Sequence, residues 1–444
     1  MPRQAVVIGG SVAGLLAARV LTEHYGRVTV LERDRYPETP EVRRGVPQAR
    51  HVHIFLTGGQ RALEELLPGS DAALARAGAV RLEAPRDLLT LTPWGWQRRY
   101  HEGRHAVISC TRPLFEHVVR EQVLTSCPSL EVLPGLGVTG LAAGEGSVTG
   151  VRVRYGDDER VLPADLVVDA SGRGSRTPAW LADLGLPVPR EESVNPRLAY
   201  ASRLFRLPEP RPDHAVYIQA RPDSPRGGGA LPVEGGAWLV TLAGVQGSRP
   251  PTDGAGFLDF ARGLRDPYLG ELLAGAVPLG PVHGSHSTAN VRRRYEDTPV
   301  PGLLVTGDAL CTYNPVYGQG LSVAAMGAVA LRDALARGAD PAAAQLALAR
   351  TANQAWLLAS GADRPYDPAS PAPSPGDRLR SWYAQRLIAR ATHDEVAAVP
   401  YRDVACLTAP LERLSSPRLV LRTLLLPRGE GLPHPPLEVE RPRR

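Results

Sequence analysis

The feature of this 444-residue sequence that most constrains its fold is residues 5–21, AVVIGGSVAGLLAARVL. A run of β-branched residues precedes a glycine turn, and apolar residues at helical spacing follow it, which predicts a strand, a tight turn and a helix. Glycines in such a turn let the backbone approach a pyrophosphate at the helix N-terminus. The segment therefore predicts a dinucleotide-binding unit. The residues predicted to contact the dinucleotide are Gly9, Gly10, Ser11, Val12, Ala13 and Gly14.

Serine occupies the middle position of this turn, where the usual pattern has glycine. Ser11 is small and its hydroxyl can donate to a phosphate oxygen, so we expect the turn to keep its function. A second strand pattern, RVTVLER, ends at Glu32. This position lies about twenty residues beyond the glycines, where a carboxylate accepts hydrogen bonds from ribose hydroxyls. These features do not distinguish NAD from FAD.

Composition excludes several classes of function. All 51 basic residues are arginine, and the absence of lysine excludes Schiff-base chemistry, a Walker lysine and the catalytic ammonium of flavin halogenases. A net charge of +5 without a basic block argues against a nucleic-acid partner. The four cysteines lack C-x-x-C spacing, and the histidine pairs at positions 51/53 and 283/286 lack a third ligand. We therefore expect no metal site and place these histidines on surfaces or loops.

The hydropathy pattern bears on membranes and location. No apolar window reaches the roughly 18 residues that a spanning helix needs, and the N-terminus lacks the pattern of a signal peptide. We therefore expect no membrane-spanning segment and a cytoplasmic protein.

A second motif lies in residues 301–335, where LLVTGD has the pattern of a buried strand ending at Gly307 and Asp308. Two more glycines and a small-residue helix follow, so the helix N-terminus would direct its N–H groups at a bound group. The pattern resembles the GD motif of the flavin monooxygenases related to para-hydroxybenzoate hydroxylase. The resemblance implies FAD, with Asp308 on the ribityl chain and the helix at the pyrimidine edge. The contacts it implies are Gly307, Asp308, Pro315, Gly318, Gln319, Gly320 and Leu321.

Two further stretches resemble the same family. In DLVVDASGRGSRTPAWL, an apolar strand ends at Asp169 and Gly172 follows at the spacing of the DG motif, but Ser171 replaces the family's aspartate. That aspartate is associated with the bound nicotinamide, and no second glycine turn is present. We therefore expect reducing equivalents from NAD(P)H to arrive through a separate flavin or NAD(P)H reductase. The remaining implied contacts are Arg112 at the flavin, Arg33 and Val138 at the adenosine end, and Arg43, Arg44 and Gly45 beside the isoalloxazine.

Within that family, four stretches are similar to squalene epoxidase and to the polyether-antibiotic epoxidases of the monensin and lasalocid type. They are GGSVAGLLAARVL, RRGVPQARHVHIFLTGGQRALEELLPG, GGGALPVEGGAWLVTLAG and GDALCTYNPVYGQG. The resemblance implies epoxidation of alkenes in a linear polyene polyketide, free or bound to a carrier protein. Reduced flavin and oxygen give a C(4a)-hydroperoxide that an alkene attacks directly, so we predict no catalytic side chain and an elongated, apolar pocket. The alternatives are an FAD aromatic hydroxylase, a flavin reductase of prenyl chains and, less favoured, a flavoprotein without catalytic activity.

These landmarks predict an α/β fold with a Rossmann-like FAD-binding domain of the glutathione-reductase and para-hydroxybenzoate hydroxylase type. That domain is discontinuous, over residues 1–80, 105–182 and 285–345. An antiparallel-sheet substrate domain is predicted over 81–104 and 183–284. A proline-rich linker over 346–376 and a C-terminal helical segment over 377–444 complete the chain. In that last segment, we expect LVLRTLLL to pack as a helix and not to contact a membrane.

Overall fold

The structure is a computed structural model that describes residues 3–99, 103–156, 158–245, 247–286, 288–427 and 429–440. The strands are β1 (Gln4–Ile8), β2 (Arg27–Glu32), β3 (Ile54–Phe55), β4 (Val80–Ala84), β5 (Leu88–Thr92), β6 (Gly95–Trp96), β7 (His105–Ser109), β8 (Leu130–Pro134), β9 (Val138–Gly144), β10 (Ser147–Tyr155), β11 (Asp158–Pro163), β12 (Leu166–Asp169), β13 (Glu191–Val194), β14 (Ala199–Arg206), β15 (Ala215–Ile218), β16 (Arg226–Pro232), β17 (Trp238–Gly244), β18 (Val277–Pro278), β19 (His283–Ser285), β20 (Asn290–Arg293), β21 (Leu303–Val305) and β22 (Cys311–Thr312). The helices are α1 (Val12–Leu21), α2 (Thr57–Leu66), α3 (Ser70–Arg76), α4 (Arg112–Ser126), α5 (Thr177–Asp183), α6 (Gly254–Arg262), α7 (Tyr268–Leu272), α8 (Gly320–Ala336), α9 (Pro341–Asp363), α10 (Pro375–His393), α11 (Glu395–Ala405) and α12 (Pro417–Leu425).

A parallel sheet in the order β21-β12-β1-β2-β8 forms the centre of the nucleotide-binding part. Its central strands are buried along almost their whole length, as expected of parallel strands covered on both faces. The register aligns Ile8 with Asp169 and Asp169 with Val305, so three loops leave the sheet at one edge. Ligands bind at this edge in open α/β sheets. The predicted α/β fold is therefore confirmed.

An eight-stranded mixed sheet lies over that edge and is called the roof sheet here. Its order is β18-β14-β17-β16-β15-β5-β6, with β19 also paired to β14. The face that carries Val216 and Val240 packs with Phe257 of α6 and Leu269 of α7 in one apolar core. Side chains alternate along strands, so the opposite face carries Thr241 and its cross-strand neighbours. That face contacts the nucleotide-binding part.

The linker predicted over 346–376 is wrong for residues 346–363. They form most of helix α9, which is capped by the Asp340 side chain at the Ala343 N–H and has Pro341 at its first position. Alanine-rich turns allow α9 to pack closely on α8, and Trp356 is buried in the main core. The proline-rich composition begins only after this helix, so the small residues before it were misread as part of a linker.

The C-terminal segment packs as helices α10, α11 and α12 around a small core of its own. In α12, Leu419 and Thr423 are buried, whereas Leu421 and Leu425 are 57% and 76% exposed. No helix among the described residues is long and apolar enough to cross a membrane. Residues 441–444 of the predicted segment lie outside the described residues.

Candidate functional site

The glycine turn after β1 has no room for side chains. Gly9 has a φ of +99°, and a Cβ there would lie 2.6 Å from the carbonyl oxygen of Ala170. A Cβ on Gly14 would lie 1.8 Å from the carbonyl oxygen of Gly9, because α1 starts directly against the turn. Ser11 precedes α1, but its side chain makes no capping hydrogen bond. The first N–H groups of α1 are therefore left for a ligand.

Arg112 brings a positive charge to this turn. It is the first residue of α4, and its Nη2 donates to Oγ of Ser11 at 3.0 Å. Its Nε lies 3.6 Å from Oε2 of Glu116 but has no hydrogen-bond partner, although it is buried. A guanidinium beside helix N–H groups suits a phosphate anion, and its unpaired N–H is the kind of group that a ligand satisfies. The structure thus brings together two predicted site residues, Ser11 and Arg112, that lie about 100 residues apart in the sequence.

Asp308 lies on the same edge, after β21. A Cβ on Gly307 would lie 2.7 Å from Cβ of Ala13, so the GD segment packs directly on the glycine turn. Burial raises the pKa of Asp308, while Arg112 and Arg173 oppose that rise. A Cβ on Gly320 would lie 3.8 Å from Oδ1 of Asp308, which places the start of α8 beside this carboxylate.

Hydrogen bonds to the buried carboxylate of Asp363 hold the loop between Asp308 and α8 in place. Asp363, at the end of α9, accepts hydrogen bonds from Tyr317 Oη at 2.6 Å, Asn290 Nδ2 at 2.7 Å and Asn314 Nδ2 at 2.8 Å. Oε1 of Gln319, the residue before α8, is buried without a partner. An orphaned buried acceptor in an otherwise fixed loop points to a ligand that donates to it. Asp363 falls in the stretch predicted to be a linker, and no sequence pattern points to it.

Glu32 lies where the fingerprint predicts it, at the end of β2 beside the glycine turn. Its Oε2 accepts from the N–H of Gly10 at 2.9 Å. Arg43 is buried and pairs with Glu32 at 3.3 Å, with Asp34 and with Glu116. Three carboxylates surround its guanidinium, and the contact of Arg43 with the isoalloxazine stays a prediction. A buried cation needs such partners because desolvation without them costs several kcal/mol.

Two neighbours of Arg43 differ in their surroundings. The N–H of Gly45 donates to Asp34 at 2.7 Å, and its carbonyl accepts from Arg33 at 3.2 Å. Arg44 is exposed. Their contacts with the cofactor, and those of Arg33, stay predictions.

The loop after β12 is ordered by a buried carboxylate. Asp169 is fully buried, and its carboxylate accepts from the N–H of Ser171 at 2.9 Å and from Oγ of Ser175 at 2.5 Å. This side chain orders the loop around Gly172, whose φ is +85°, and the direct contacts of Asp169 and Gly172 with the cofactor stay predictions. Arg173 is the residue of this loop that faces Asp308. Val138 is half-buried in the β9-β10-β11 sheet, and its contact with adenine stays a prediction.

Four side chains that sequence reasoning missed are surrounded by protein and yet keep accessible surface, and the region that they face is called the cleft here. They are His53, Tyr217, Tyr317 and Tyr401. For each of them burial is the largest influence on the pKa, yet each keeps accessible surface, as a side chain facing a cleft does. They come from the loop before β3, from β15, from the loop before α8 and from α11. No local pattern could have found them, because only the tertiary structure brings these segments together.

The loop before β3 joins the roof sheet to the nucleotide-binding part. Nδ1 of His51 lies 2.8 Å from Oγ of Ser202, and the N–H of Val52 donates to Oγ1 of Thr241 at 3.2 Å. His51 is a loop histidine, as one of the two expected alternatives had it, but it is buried and only 4% exposed. Burial, with smaller effects of His53, His283 and Arg50, lowers the pKa of His51 to about 3.

Comparison with known proteins gives a family and two curated relatives. A family model described as "FAD binding domain" matches residues 3–353. The chain is 34% identical over 395 residues to Protein Rv3254 of Mycobacterium tuberculosis, covering 84% of this chain and 82% of that one. It is 28% identical over 354 residues to 6-methylpretetramide 4-monooxygenase of Streptomyces rimosus, covering 75% of each.

Among solved structures, the flavin-dependent brominase Bmp2 is similar in fold. The TM-score is 0.66 at 14% identity, and the match covers 94% of this chain and 96% of the brominase. At that identity the likeness extends to the fold alone.

The residues present fit FAD. The open first turn of α1 and the Arg112 guanidinium provide groups for phosphates, and the unpaired Gln319 acceptor suits a ring with N–H donors. Asp308 lies between them as an acceptor for hydroxyl groups. The cleft beside these groups is bounded by the roof sheet, which can exclude water from a reaction at the ring.

Proposed function

We propose that this chain, which belongs to the FAD-binding-domain family of flavin monooxygenases and halogenases, is a monooxygenase that epoxidises alkenes of a linear polyene polyketide. FAD is its cofactor and, once reduced, supplies the oxygen-transfer chemistry. The chain's own residues bind the cofactor through the glycine turn, Arg112 and Asp308. The roof sheet and the loop around His51 hold the substrate against the ring and keep water away.

The observation that supports this substrate class is that the described cleft-lining groups are poorly suited to ionise a substrate. Burial lowers the pKa of His53 to about 4 and raises the pKa of Tyr217 and Tyr317. The Asp363 carboxylate already accepts three hydrogen bonds. Phenol hydroxylation benefits from a base with a pKa near neutrality. An alkene needs none, because it reacts as a neutral nucleophile.

Electron supply is part of the same proposal. Ser171 stands where the aromatic hydroxylases of the resembled family have an aspartate, and it is exposed at the loop after β12. We expect slow bleaching of the flavin by NADPH alone and fast bleaching when a flavin reductase and NADH are added. Stopped-flow absorbance measures both rates, and rapid reduction by NADPH alone would contradict a separate reductase.

A second candidate is hydroxylation of an aromatic polyketide. It is favoured by the relative named 6-methylpretetramide 4-monooxygenase and by the tyrosine hydroxyls of the cleft, which could bind the oxygen atoms of a polycyclic substrate. A halogenase is disfavoured because the chain has no lysine to supply a catalytic ammonium.

The deciding experiment supplies the FAD-loaded protein with a reductase, NADH and ¹⁸O₂. One sample contains a linear polyene with trisubstituted alkenes, and the other contains a polycyclic phenol. Labelled epoxide from the polyene is the expected product by mass spectrometry. Labelled hydroxylated phenol would instead establish the second candidate. Hydrogen peroxide as the only product from both samples would overturn the monooxygenase assignment.

A further inference from the structure

We infer that His53 is a hydrogen-bond acceptor of the cleft, and that its Nε2 receives an N–H donor of the flavin ring or an O–H donor of the substrate. A hydrogen bond from the flavin ring is independent of the proposed epoxidation, whereas a hydrogen bond from the substrate rests on that proposed function.

The position of His53 is fixed from both sides. Towards the roof sheet, His51 and Val52 are held by Ser202 and Thr241. Towards the nucleotide-binding part, the following strand β3 pairs with β7, and the N–H of Leu56 donates to Oγ of Ser322 in α8 at 2.9 Å. The backbone of His53 therefore bridges the two walls of the cleft.

The place of His53 relative to the cofactor groups follows from its neighbours. A Cβ on Gly318 would lie 2.3 Å from Cγ1 of Ile54, so the chain next to His53 touches the loop that leads into α8. Arg112 is close enough to disfavour a positive charge on the His53 ring. The His53 ring is therefore within electrostatic reach of Arg112, and its neighbour Ile54 contacts the loop before α8, two parts of the chain that are assigned to the cofactor.

The hydrogen bond of the other ring nitrogen sets the tautomer. Nδ1 of His53 lies 2.8 Å from the carbonyl oxygen of His51, and a carbonyl only accepts, so Nδ1 carries the hydrogen. Nε2 then carries the lone pair, and no hydrogen bond to it is found in the described part of the chain. A neutral imidazole with one nitrogen fixed as donor presents the other as an acceptor.

Burial and the nearby positive charge of Arg112 keep the His53 ring neutral. Burial and the Arg112 guanidinium lower the pKa of His53 to about 4, so Nε2 stays unprotonated at neutral pH. The ring also keeps accessible surface, so its acceptor is open to a group in the cleft. A flavin ring N–H and a substrate hydroxyl are the two donors that such a group can offer.

The test compares His53→Phe, which removes the acceptor and keeps an aromatic ring, with His53→Gln, which keeps an acceptor oxygen. His286→Phe is the matched control, because His286 is exposed. FAD affinity is measured by fluorescence titration of the full-length apoprotein. Binding of farnesol and of its methyl ether, which lacks the O–H, is measured from changes in the flavin absorption spectrum without turnover.

If the flavin is the donor, His53→Phe weakens FAD binding about fivefold, the effect of one hydrogen bond, while His53→Gln stays near wild type. If the substrate is the donor, FAD binding is unchanged, the wild type prefers farnesol to its ether, and His53→Phe removes that preference. Unchanged FAD affinity together with no preference that depends on His53 overturns the inference. His53→Ala replaces His53→Phe if the latter does not fold. Failure to form an epoxide would overturn the proposed function but would leave the FAD result valid.

Discussion

The glycine turn and the tyrosine-lined side of the cleft offer binding groups of opposite kinds. The turn offers backbone N–H groups of one continuous segment, and its glycines leave no space for a side chain. The cleft offers side chains of Tyr217, Tyr317 and Tyr401, which come from three elements far apart in the chain. A backbone site tolerates almost no change, whereas a side-chain site can change one group at a time. Cofactor binding should therefore be the rigid property of this fold and substrate choice the variable one.

The largest effect is expected from a side chain in the turn. Gly14→Ala places a Cβ 1.8 Å from the Gly9 carbonyl oxygen, a contact that requires the backbone to move. We expect a loss of about 3 kcal/mol or more in the free energy of unfolding and loss of bound FAD. Urea unfolding and the flavin absorbance of purified protein measure both effects. Gly174→Ala is the control, since nothing lies within 4 Å of its Cβ. Equal flavin content in the two variants would contradict the expectation that the glycine turn tolerates no side chain.

Acidification should lower the stability of the protein through His53, which lies in the loop that joins the roof sheet to the nucleotide-binding part. Burial lowers the pKa of folded His53 to about 4, so below about pH 6.5 the unfolded state binds a proton that the folded state does not. Above that pH, the difference in proton binding at His53 has no effect on stability. As the pH falls from there towards about 4, the free energy of unfolding decreases progressively. We expect His53 to account for about 2 kcal/mol of the loss between about pH 7.5 and about pH 5. In urea unfolding, the His53→Phe variant should lose about 2 kcal/mol less stability than the wild type over this pH range. An identical pH dependence in the two proteins would contradict the prediction.

Removing single charges at the cofactor edge should have an intermediate effect. Arg112→Met and Asp308→Asn each remove a charge-assisted hydrogen bond to the cofactor, so FAD binding should weaken about tenfold to a hundredfold. Fluorescence titration with FAD measures this, with Arg418→Met as the control because Arg418 is exposed on α12 and belongs to no predicted site. FAD affinity at the wild-type level in both variants would remove these residues from the cofactor site.

The smallest effect is expected in the cleft. Tyr401→Phe removes one hydroxyl from the substrate side and should leave FAD affinity unchanged, while the KM for an oxygen-bearing polyene rises about fivefold or less. Tyr383→Phe is the matched control, because the Tyr383 hydroxyl donates at 2.7 Å to the carbonyl oxygen of Leu414, within the C-terminal segment. A Tyr401→Phe protein that loses FAD would show that the two regions are not separable.

Sequence reasoning succeeded where neighbouring residues set the backbone. The strand–turn–helix at Gly9, the strand end at Gly307 and the α/β fold were predicted, and FAD followed from the family resemblance. It did not identify the protein partners of the charged side chains. The Asp169 carboxylate accepts hydrogen bonds from its own loop, and Arg43 pairs with three carboxylates. One of these, Glu116, lies 73 residues away from Arg43, and no local pattern encodes that pair.

The sequence by itself determined the cofactor turn, because a positive φ and close backbone contacts require glycine at fixed spacing. Only the tertiary structure decided which side chains come together at the cleft. It placed α9 and its Asp363 behind the loop that leads into α8, and it brought Tyr401 of α11 to the same cleft as Tyr217 of the roof sheet. The physical reason is that a turn is set by steric contacts between adjacent residues, whereas a cleft is the space left when distant elements bury their apolar faces against one another.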